Sequence, residues 1–239
     1  MKNLRRRAHR RKARAPLSRE RVLRAAIKIA DKDGFDAVTM RRLGDALGVE
    51  AMSLYHHVRS KDEIAAGIVD LLISEIPPPP ADAEWRAAIR GRALASREHL
   101  RRHAWVFRLI TTTPGLSAAM LRHYDAVIAD LLRGGLSHQL THTAMHVLGT
   151  RTLGFTEDLF LGNDRAPEIV KATFAEIKSG KYPAIAESIR DIHHDDDVEF
   201  VFGLDLILDG FDRAKHGPQP RSKKSEIDPR HLVKAHLGR

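Results

Sequence analysis

The sequence contains no cysteine among its 239 residues, so it has neither disulfide bonds nor thiolate metal sites. It also has no apolar run near the ~20 residues that a membrane-spanning helix requires, and no secretory hydrophobic segment at its N-terminus. Convincing alternation of apolar and polar residues, the pattern of a half-buried strand, is missing too. We therefore expect a cytoplasmic, all-α protein without membrane association.

Acidic residues are absent from the first 15 residues, which carry a net charge of +8. Residues 215 to 239 carry a further +5, so the rest of the chain contributes −4 to the total of +9. Basic tails of this kind suit a polyanion, because each cation that meets a phosphate releases a condensed counterion. A solvated tail has the same composition, so the arm alone does not establish DNA binding.

Helix signals are clearest in the first third of the chain. The first helix is predicted from residue 19 to residue 33, with Ser18 as its N-cap and Gly34 closing it. A second, short helix is predicted to begin after the N-cap Thr39 and to stop at Gly48. The second helix leads into a tight corner at Gly48, and the first helix supports it.

The stretch LGVEAMSLYHHV, residues 47 to 58, predicts a third helix after this corner. Leu54 and Val58 are four residues apart and should face the core with Ala51. Two helices around a glycine-containing corner form a helix-turn-helix, whose second helix lies in the major groove of DNA. Polar and aromatic groups on its outer face can meet phosphates and base edges. The residues predicted to face outward are Met52, Ser53, Tyr55, His56 and His57.

The remainder of the chain is also predicted to be helical. A capping box at residues 60–63 begins a fourth helix, which ends at the four prolines 77–80. Residues 84 to 110 are interpreted as one long helix. Further helices are predicted at 117–133, 138–161, 167–178, 183–192 and 196–215.

The last of these helices is apolar on more than one side and must therefore be covered on more than one side. We predict that it packs against its own core and against a second copy of the chain in an isologous dimer. The dimer interface is assigned to Phe200, Leu204, Ile207, Leu208 and Phe211, while Val201, Phe202 and Leu206 form a second apolar face.

Residues 18 to 76 resemble the N-terminal DNA-binding domain of the TetR-type (tetracycline repressor-like) transcriptional regulators. The segment AAIKIADKDGFDAVTMRRLGDALGVEAMSLYHHVRSKDEI carries this resemblance. GTRTLGFTEDL and EFVFGLDLILDGFDR are similar to parts of the ligand-binding and dimerisation domain of the same family. The resemblance implies a three-helix helix-turn-helix domain joined to a larger helical domain. The expected segments are a basic arm (1–15), the DNA-binding domain (16–76), a Pro-rich connection (77–83), the ligand-binding and dimerisation domain (84–215) and a basic tail (216–239).

The resemblance also implies a ligand-responsive repressor that binds a palindromic operator in double-stranded DNA as a homodimer. A small-molecule inducer would spread the two DNA-binding heads and release the operator, because half-sites about 34–36 Å apart accept only one head separation. No catalytic residue, resident cofactor or metal is expected, and the sequence specifies neither the operator nor the effector.

The same resemblance assigns roles to individual residues. Arg41, Ser53 and Tyr55 would touch DNA, while His57 and Lys61 would clamp phosphates. Tetracycline repressor has glutamine, proline and tryptophan where this chain has Ala51, Met52 and His56, so its operator is not expected here. The predicted DNA-binding residues are Thr39, Arg41, Ala51, Met52, Ser53, Tyr55, His56, His57 and Lys61.

Two further sets of residues are candidates for ligand contacts in the larger domain. His138, His142 and His146 recur every four residues, as do His99 and His103, a spacing that can chelate a metal. No paired carboxylate completes a ligand set on the same face, so helical polar stripes remain the preferred interpretation. The candidate pocket wall, for which core packing is the alternative, is Leu94, Trp105, Leu109, Tyr124, Leu148, Thr152 and Phe155.

Two other functions compete with a specific repressor. A nonspecific DNA-coating protein would use mainly the two basic tails. An all-helical, metal-dependent enzyme would use the histidine clusters with Glu157 or Asp158 as acid or base. The enzyme hypothesis lacks a nucleophile motif and a phosphate loop, and it leaves the helix-turn-helix unexplained.

Overall fold

The computed structural model describes residues 16–154, 167–188 and 195–217, with side chains throughout except at 150–154 and 188. These residues form helices joined by turns, with no strand among them, which confirms the predicted all-α class. None of the helices in these ranges combines the length and the apolarity needed to cross a bilayer. The helices are α1 (Arg19–Asp33), α2 (Met40–Leu47), α3 (Ala51–Leu54), α4 (Lys61–Ser74), α5 (Trp85–Arg101), α6 (Val106–Thr112), α7 (Ala118–Arg133), α8 (His138–Gly154), α9 (Pro167–Ile177), α10 (Pro183–Ser188) and α11 (Asp196–Ala214).

The chain divides into two compact units. The first contains residues 16–72 together with Arg102–Ser117. The second contains Ile73–Arg101 and the described residues from Ala118 onward. The chain therefore enters the first unit twice, and the second visit lies inside the range 84–215 that the sequence assigns to the ligand-binding domain.

Side-chain caps fix the helix starts of the first unit. The hydroxyls of Ser18 and Thr39 each accept a 3.2 Å hydrogen bond from the backbone N–H three residues further on. The Ser60 hydroxyl accepts the Glu63 N–H at 3.0 Å, and the Glu63 carboxylate accepts the Arg59 N–H at 2.8 Å. The predicted starts of α1, α2 and α4 are thus confirmed, because each depends on a local bond that the sequence displays.

Residues 84 to 110 do not form one helix, and that prediction is wrong. Helix α5 ends at Arg101, residues 102–105 form a turn, and α6 begins at Val106. The turn contains neither glycine nor proline, so the sequence carries no stop signal there. The cause is tertiary: side chains of the turn bind Asp31 within the first unit.

The second unit has a continuous apolar core shared by α5, α7, α8 and α11. At one end of it Gly134 lies against the Trp85 indole, where an added Cβ would come within 2.5 Å of the ring. The Lys215 ammonium closes this end by donating to the Gly134 carbonyl at 3.1 Å. The buried members of the core are Trp85, Ile89, Ala93, Val127, Leu131, Leu136, Leu140, Ala144, Leu148, Phe200, Leu204, Leu208 and Phe211.

Ion pairs set the register of α5 against α11. Arg90 binds Asp205 at 2.9 Å, and Arg86 pairs with Asp209 one turn further on. Near the start of α11, Arg97 binds Asp197 at 2.9 Å and holds the pKa of that carboxyl below its usual value. The arginines of α5 and the aspartates of α11 thus recur at matching positions, which fixes how far one helix is shifted along the other.

The structure corrects the predicted dimer interface. Phe200, Leu204, Leu208 and Phe211 are buried in the core of their own unit, and Ile207 packs against that core. The four buried residues are therefore covered by their own chain, whereas Ile207 is half-buried. The apolar side chains that α11 leaves exposed are Val198 (63% exposed), Phe202 (65%) and Leu206 (52%).

Candidate nucleic-acid interface

The corner between α2 and α3 depends on two glycines. Gly48 ends α2 with φ of 65°, in the left-handed region that favours glycine. Gly44 lies under the corner, where the Val49 N–H donates to its carbonyl at 3.0 Å. An added Cβ on Gly44 would lie 2.8 Å from the Val49 carbonyl oxygen. The corner is tight because the backbone at Val49 approaches Gly44 closely. The sequence analysis did not identify Gly44 as important.

Helix α3 is shorter than the predicted third helix. It ends at Leu54, and residues 55–57 continue as a turn. The backbone N–H groups of His57 and Val58 both donate to the Leu54 carbonyl, at 2.8 and 3.0 Å. These two hydrogen bonds fix the backbone of the turn that carries the side chains of residues 55–57.

Burial along this segment follows the predicted pattern with one exception. Leu54 and Val58 are completely buried and hold the segment to the first unit. Ala51, expected in the core with them, is only half-buried. Of the residues expected to face outward, Met52 (74% exposed), Tyr55 (45%) and His56 are exposed, while Ser53 and His57 are half-buried.

Two adjacent arginines at the start of α2 differ in their partners. Arg42 binds the Asp33 carboxylate and lies 3.5 Å from the Ala37 carbonyl oxygen, and its hydrogen bond lowers the pKa of Asp33. Arg41 is exposed, and its side chain has no hydrogen bond or ion pair to any residue that the structure describes. Of these two arginines, only Arg41 has a guanidinium without an intramolecular partner among the described residues.

Thr39 and Lys61 are the other two residues of the first unit, outside residues 51–57, that are predicted to bind DNA. Both side chains are exposed, and the Thr39 hydroxyl is used as the cap of α2. The Lys61 ammonium donates to the Asp36 carbonyl at 3.0 Å and lies 5.1 Å from the centre of the Phe35 ring. Because an ammonium has three donors, Lys61 can keep this bond and still meet a phosphate.

Residues 102–117, the second segment of the chain in the first unit, are held there by contacts with Asp31. One carboxylate oxygen of Asp31 lies 2.6 Å from His103 Nδ1 and accepts the Trp105 indole N–H at 2.9 Å. The Trp105 ring stacks on Phe35, with centroids 6.0 Å apart. Arg108 adds an ion pair to Asp36 at 3.0 Å.

These contacts correct part of the predicted pocket wall. Trp105 binds Asp31 and stacks on Phe35, and Leu109 is buried, both within the first unit. Neither belongs to the unit that contains Leu94, Tyr124 and Leu148. The break of the long helix at residues 102–105 is the reason, because it separates these two residues from α5.

Three other pocket candidates lie in the second unit. Leu148 is buried in its core and Leu94 packs against that core. Tyr124 is partly buried, and this burial raises the pKa of its phenol. Burial also lowers the pKa of the neighbouring His123, with a smaller contribution from Arg92. The side chains of Thr152 and Phe155 lie outside the described residues.

The second unit also buries polar atoms that the sequence prediction missed. Ser96, Arg97 and Thr141 are each no more than 4% exposed. The Ser96 hydroxyl, Arg97 Nη1 and the Thr141 hydroxyl have no hydrogen-bond partner among the described residues. The sequence carries no clear signal for them, because the burial of a polar residue in a helix depends on its neighbours in the fold. Such atoms gain from any ligand group that can bond to them.

The predicted histidine stripes do not form complete metal sites in the described ranges, where no three His, Asp or Glu residues cluster suitably. His99 lies 3.9 Å from a Glu75 oxygen, whereas His103, beyond the helix break, lies against Asp31. His193 and His194 lie outside the described residues. Asp195 caps α11 by accepting two backbone N–H groups at 3.0 Å.

Family models match both parts of the chain. Residues 22–68 match the model of bacterial regulatory proteins, tetR family. Residues 77–214 match the model of the tetracyclin repressor-like C-terminal domain. Together the two models include α2, α3 and all the helices from α5 to α11, and most of α1 and α4.

Curated relatives share this family and extend over most of the chain. The HTH-type transcriptional repressor DrrR1 of Streptomyces coeruleorubidus is 30% identical over 224 residues, which cover 85% of this chain and 81% of the relative. Tetracycline repressor protein class D of Escherichia coli is 33% identical over 210 residues, covering 83% of this chain and 90% of the relative. Both are named as repressors of transcription rather than enzymes.

Solved structures show the same fold. Apo ActR from Streptomyces coelicolor superposes with a TM-score of 0.66 at 22% identity, covering 84% of this chain and 98% of ActR. The complex of ActR with actinorhodin gives a TM-score of 0.67, also at 22% identity, and covers 85% and 100% of the two chains. The chain therefore belongs to the tetR family of bacterial regulatory proteins and is a DNA-binding transcriptional regulator.

Proposed function

We propose that this regulator is a cytoplasmic repressor that binds a palindromic operator as a homodimer and is released by a small-molecule inducer. The observation that carries the proposal is the α2–α3 corner, which presents Arg41, Met52, Tyr55 and His56 on the outside of a buried support. A surface of this kind combines a cation for phosphate or guanine with groups that can reach base edges.

The exposed residues fall into two groups, one suited to contacts with base edges and one suited to contacts with phosphates. The Met52 thioether is apolar and suits contact with a thymine methyl group, while the Arg41 guanidinium suits a phosphate or guanine O6 and N7. Lys61 and the basic arm at residues 1–15 supply charge that attracts any duplex. Sequence preference would then come from the corner, and much of the affinity from the cations.

The second unit supports the homodimer. Val198, Phe202 and Leu206 lie at four-residue spacing on the side of α11 opposite its buried face, and all three are more than half exposed. Three large apolar side chains in one exposed row favour a covering partner. An isologous dimer through this row would present two helix-turn-helix units to the two halves of a palindrome.

We propose that the inducer binds in the second unit. Its buried Ser96, Arg97 and Thr141 carry polar atoms that no residue in the described part of the chain bonds, which suits a ligand with hydrogen-bonding oxygens. The similar protein ActR has been solved with actinorhodin, so a fold of this kind accommodates a small molecule. The chain passes from α5 of the second unit into the Asp31-anchored segment of the first and returns at α7. We propose that this covalent path transmits the effect of the ligand.

Sedimentation of Phe202→Asp tests the dimer. A buried carboxylate at the centre of an apolar interface is strongly unfavourable, so we expect the wild-type chain to sediment as a dimer and Phe202→Asp as a monomer. The matched control is Leu121→Asp on α7, since Leu121 is also exposed (54%) but lies on another helix. The homodimer proposal fails if the wild-type protein is monomeric, or if Phe202→Asp dimerises as tightly as Leu121→Asp.

A further inference from the structure

Two histidines on the exposed side of α8 converge on a single point. His142 and His146 are one helical turn apart, and their Nε2 atoms lie 3.2 Å from each other. The rings meet edge to face, with centroids 4.6 Å apart and planes at 78°. Both side chains are exposed, so solutes can reach them.

The separation of the two nitrogens is that of ligands to one metal ion. Tetrahedral zinc holds imidazole nitrogens at about 2.0–2.1 Å, which places two of them about 3.3 Å apart. Residues at i and i+4 share one helix face, so this arrangement requires no change in the backbone. We propose that His142 and His146 chelate a divalent transition-metal ion, such as zinc, through their two Nε2 atoms.

A hydrogen bond between the rings is the alternative explanation of the distance. A neutral imidazole has one N–H and one lone pair, so one ring must donate from Nε2 while the other accepts there. In the metal site both rings instead carry the proton on Nδ1 and direct both Nε2 lone pairs at the ion. The two explanations differ in whether both rings are needed to retain zinc.

The pair supplies only part of a coordination shell. Within the described ranges no group of three His, Asp or Glu residues is arranged to hold a metal, so water completes the shell. Two protein ligands and open positions make an exchangeable surface site rather than a closed structural one. The site would bridge one turn of α8, and bound zinc would stabilise the fold by mass action. Its two ligands are not among the residues assigned to the proposed DNA and inducer sites.

Zinc titration of untagged, metal-stripped full-length protein against a chromogenic chelator tests the site. We expect one zinc ion per chain to be retained by the wild-type protein, and His142→Gln and His146→Gln each to weaken its binding roughly 10- to 100-fold, because one ligand no longer holds the ion beside the other. His138→Gln is the matched control. His138 is exposed and lies on the same helix, but outside the pair, so zinc affinity should be unchanged.

The proposal is overturned if the wild-type protein retains no zinc, or if either variant of the pair binds zinc as tightly as the wild type. Equal losses in all three variants would also overturn it, since the pair would then have no special role. Electron paramagnetic resonance of bound Cu²⁺ gives a second readout. Coupling to two imidazole nitrogens is expected in the wild type and to one in His142→Gln, and thermal unfolding without metal checks that each variant is folded.

Discussion

Gly44 is the residue on which the α2–α3 corner, the candidate DNA surface, depends most directly. Its hypothetical Cβ meets two backbone atoms, the Val49 carbonyl oxygen at 2.8 Å and the Ala51 nitrogen at 3.4 Å, and neither can rotate away as a side chain would. We predict that Gly44→Ala destabilises the first unit by about 1–3 kcal/mol, the usual cost of overpacking, and abolishes specific DNA binding. Thermal unfolding and a DNA-binding titration measure the two effects.

Gly149 provides the matched control for this substitution. It lies within α8 and a Cβ there would have no atom within 4 Å. Gly149→Ala should therefore stabilise the protein by roughly 0.5–1 kcal/mol through helix propensity alone. If Gly44→Ala were as stable as Gly149→Ala, close packing at the corner would not be what selects glycine.

Arg41 and Arg42 are adjacent but are expected to have different roles. Arg41 has no intramolecular partner among the described residues, whereas Arg42 is committed to Asp33. We predict that Arg41→Ala leaves the melting temperature unchanged, weakens operator binding, and lowers the slope of log affinity against log salt by about one if the contact is to phosphate. Arg42→Ala should lower the melting temperature. The reverse pattern would contradict the assignment of Arg41 to DNA.

At the scale of elements, the segment of residues 102–117 is held to the first unit by the Asp31 carboxylate. We predict that Asp31→Asn frees the Trp105 ring, because a neutral amide is a weaker acceptor and cannot form an ion pair with His103. In a Trp85→Phe background Trp105 is the only tryptophan, since the chain has two. The expected readout is a red shift of its fluorescence emission.

Asp36→Asn is the control for this experiment. It removes the ion pair with Arg108 in the same segment without touching the acceptor of the Trp105 N–H. Its emission should therefore match that of the parent protein. An unchanged emission in Asp31→Asn would show that stacking on Phe35 alone holds the ring.

The helices differ in how far their positions could be predicted from sequence. The bounds of α1 and α2 were correct because Ser18, Thr39 and the following glycines act locally. The break after Arg101 was missed because it depends on Asp31, which lies far away in the sequence. The buried side of α11 was assigned to the wrong partner because periodicity reveals two apolar faces but not which one its own chain covers.

The candidate DNA surface was predicted more fully than the ligand site. The outward positions of Met52, Tyr55 and His56 follow from helical spacing and a known corner. The polar atoms of Ser96 and Arg97 gave no comparable pattern, since one buried polar residue in a helix looks like any other until its neighbours are known. Their importance follows from tertiary packing.

At the scale of the whole molecule, charge and specificity are located in different parts of the chain. Residues 1–15 carry +8, while the chain between the two basic ends carries −4. We expect the basic ends to increase affinity for any duplex, and the folded corner in each copy of the proposed dimer to distinguish one sequence from another. The dimer is part of the proposal because one short helix with its following turn contacts only a few base pairs.

In-vitro selection of duplex DNA by the purified full-length protein is the most direct test of a dimeric, sequence-specific regulator. Moderate salt suppresses purely electrostatic binding, so enrichment then reports the corner rather than the tails. We predict enrichment of a palindrome whose half-sites lie about one helical turn, or ~34–36 Å, apart. Recovery of no motif would contradict this account and favour nonspecific coating, and recovery of a single unpaired half-site would contradict the homodimer.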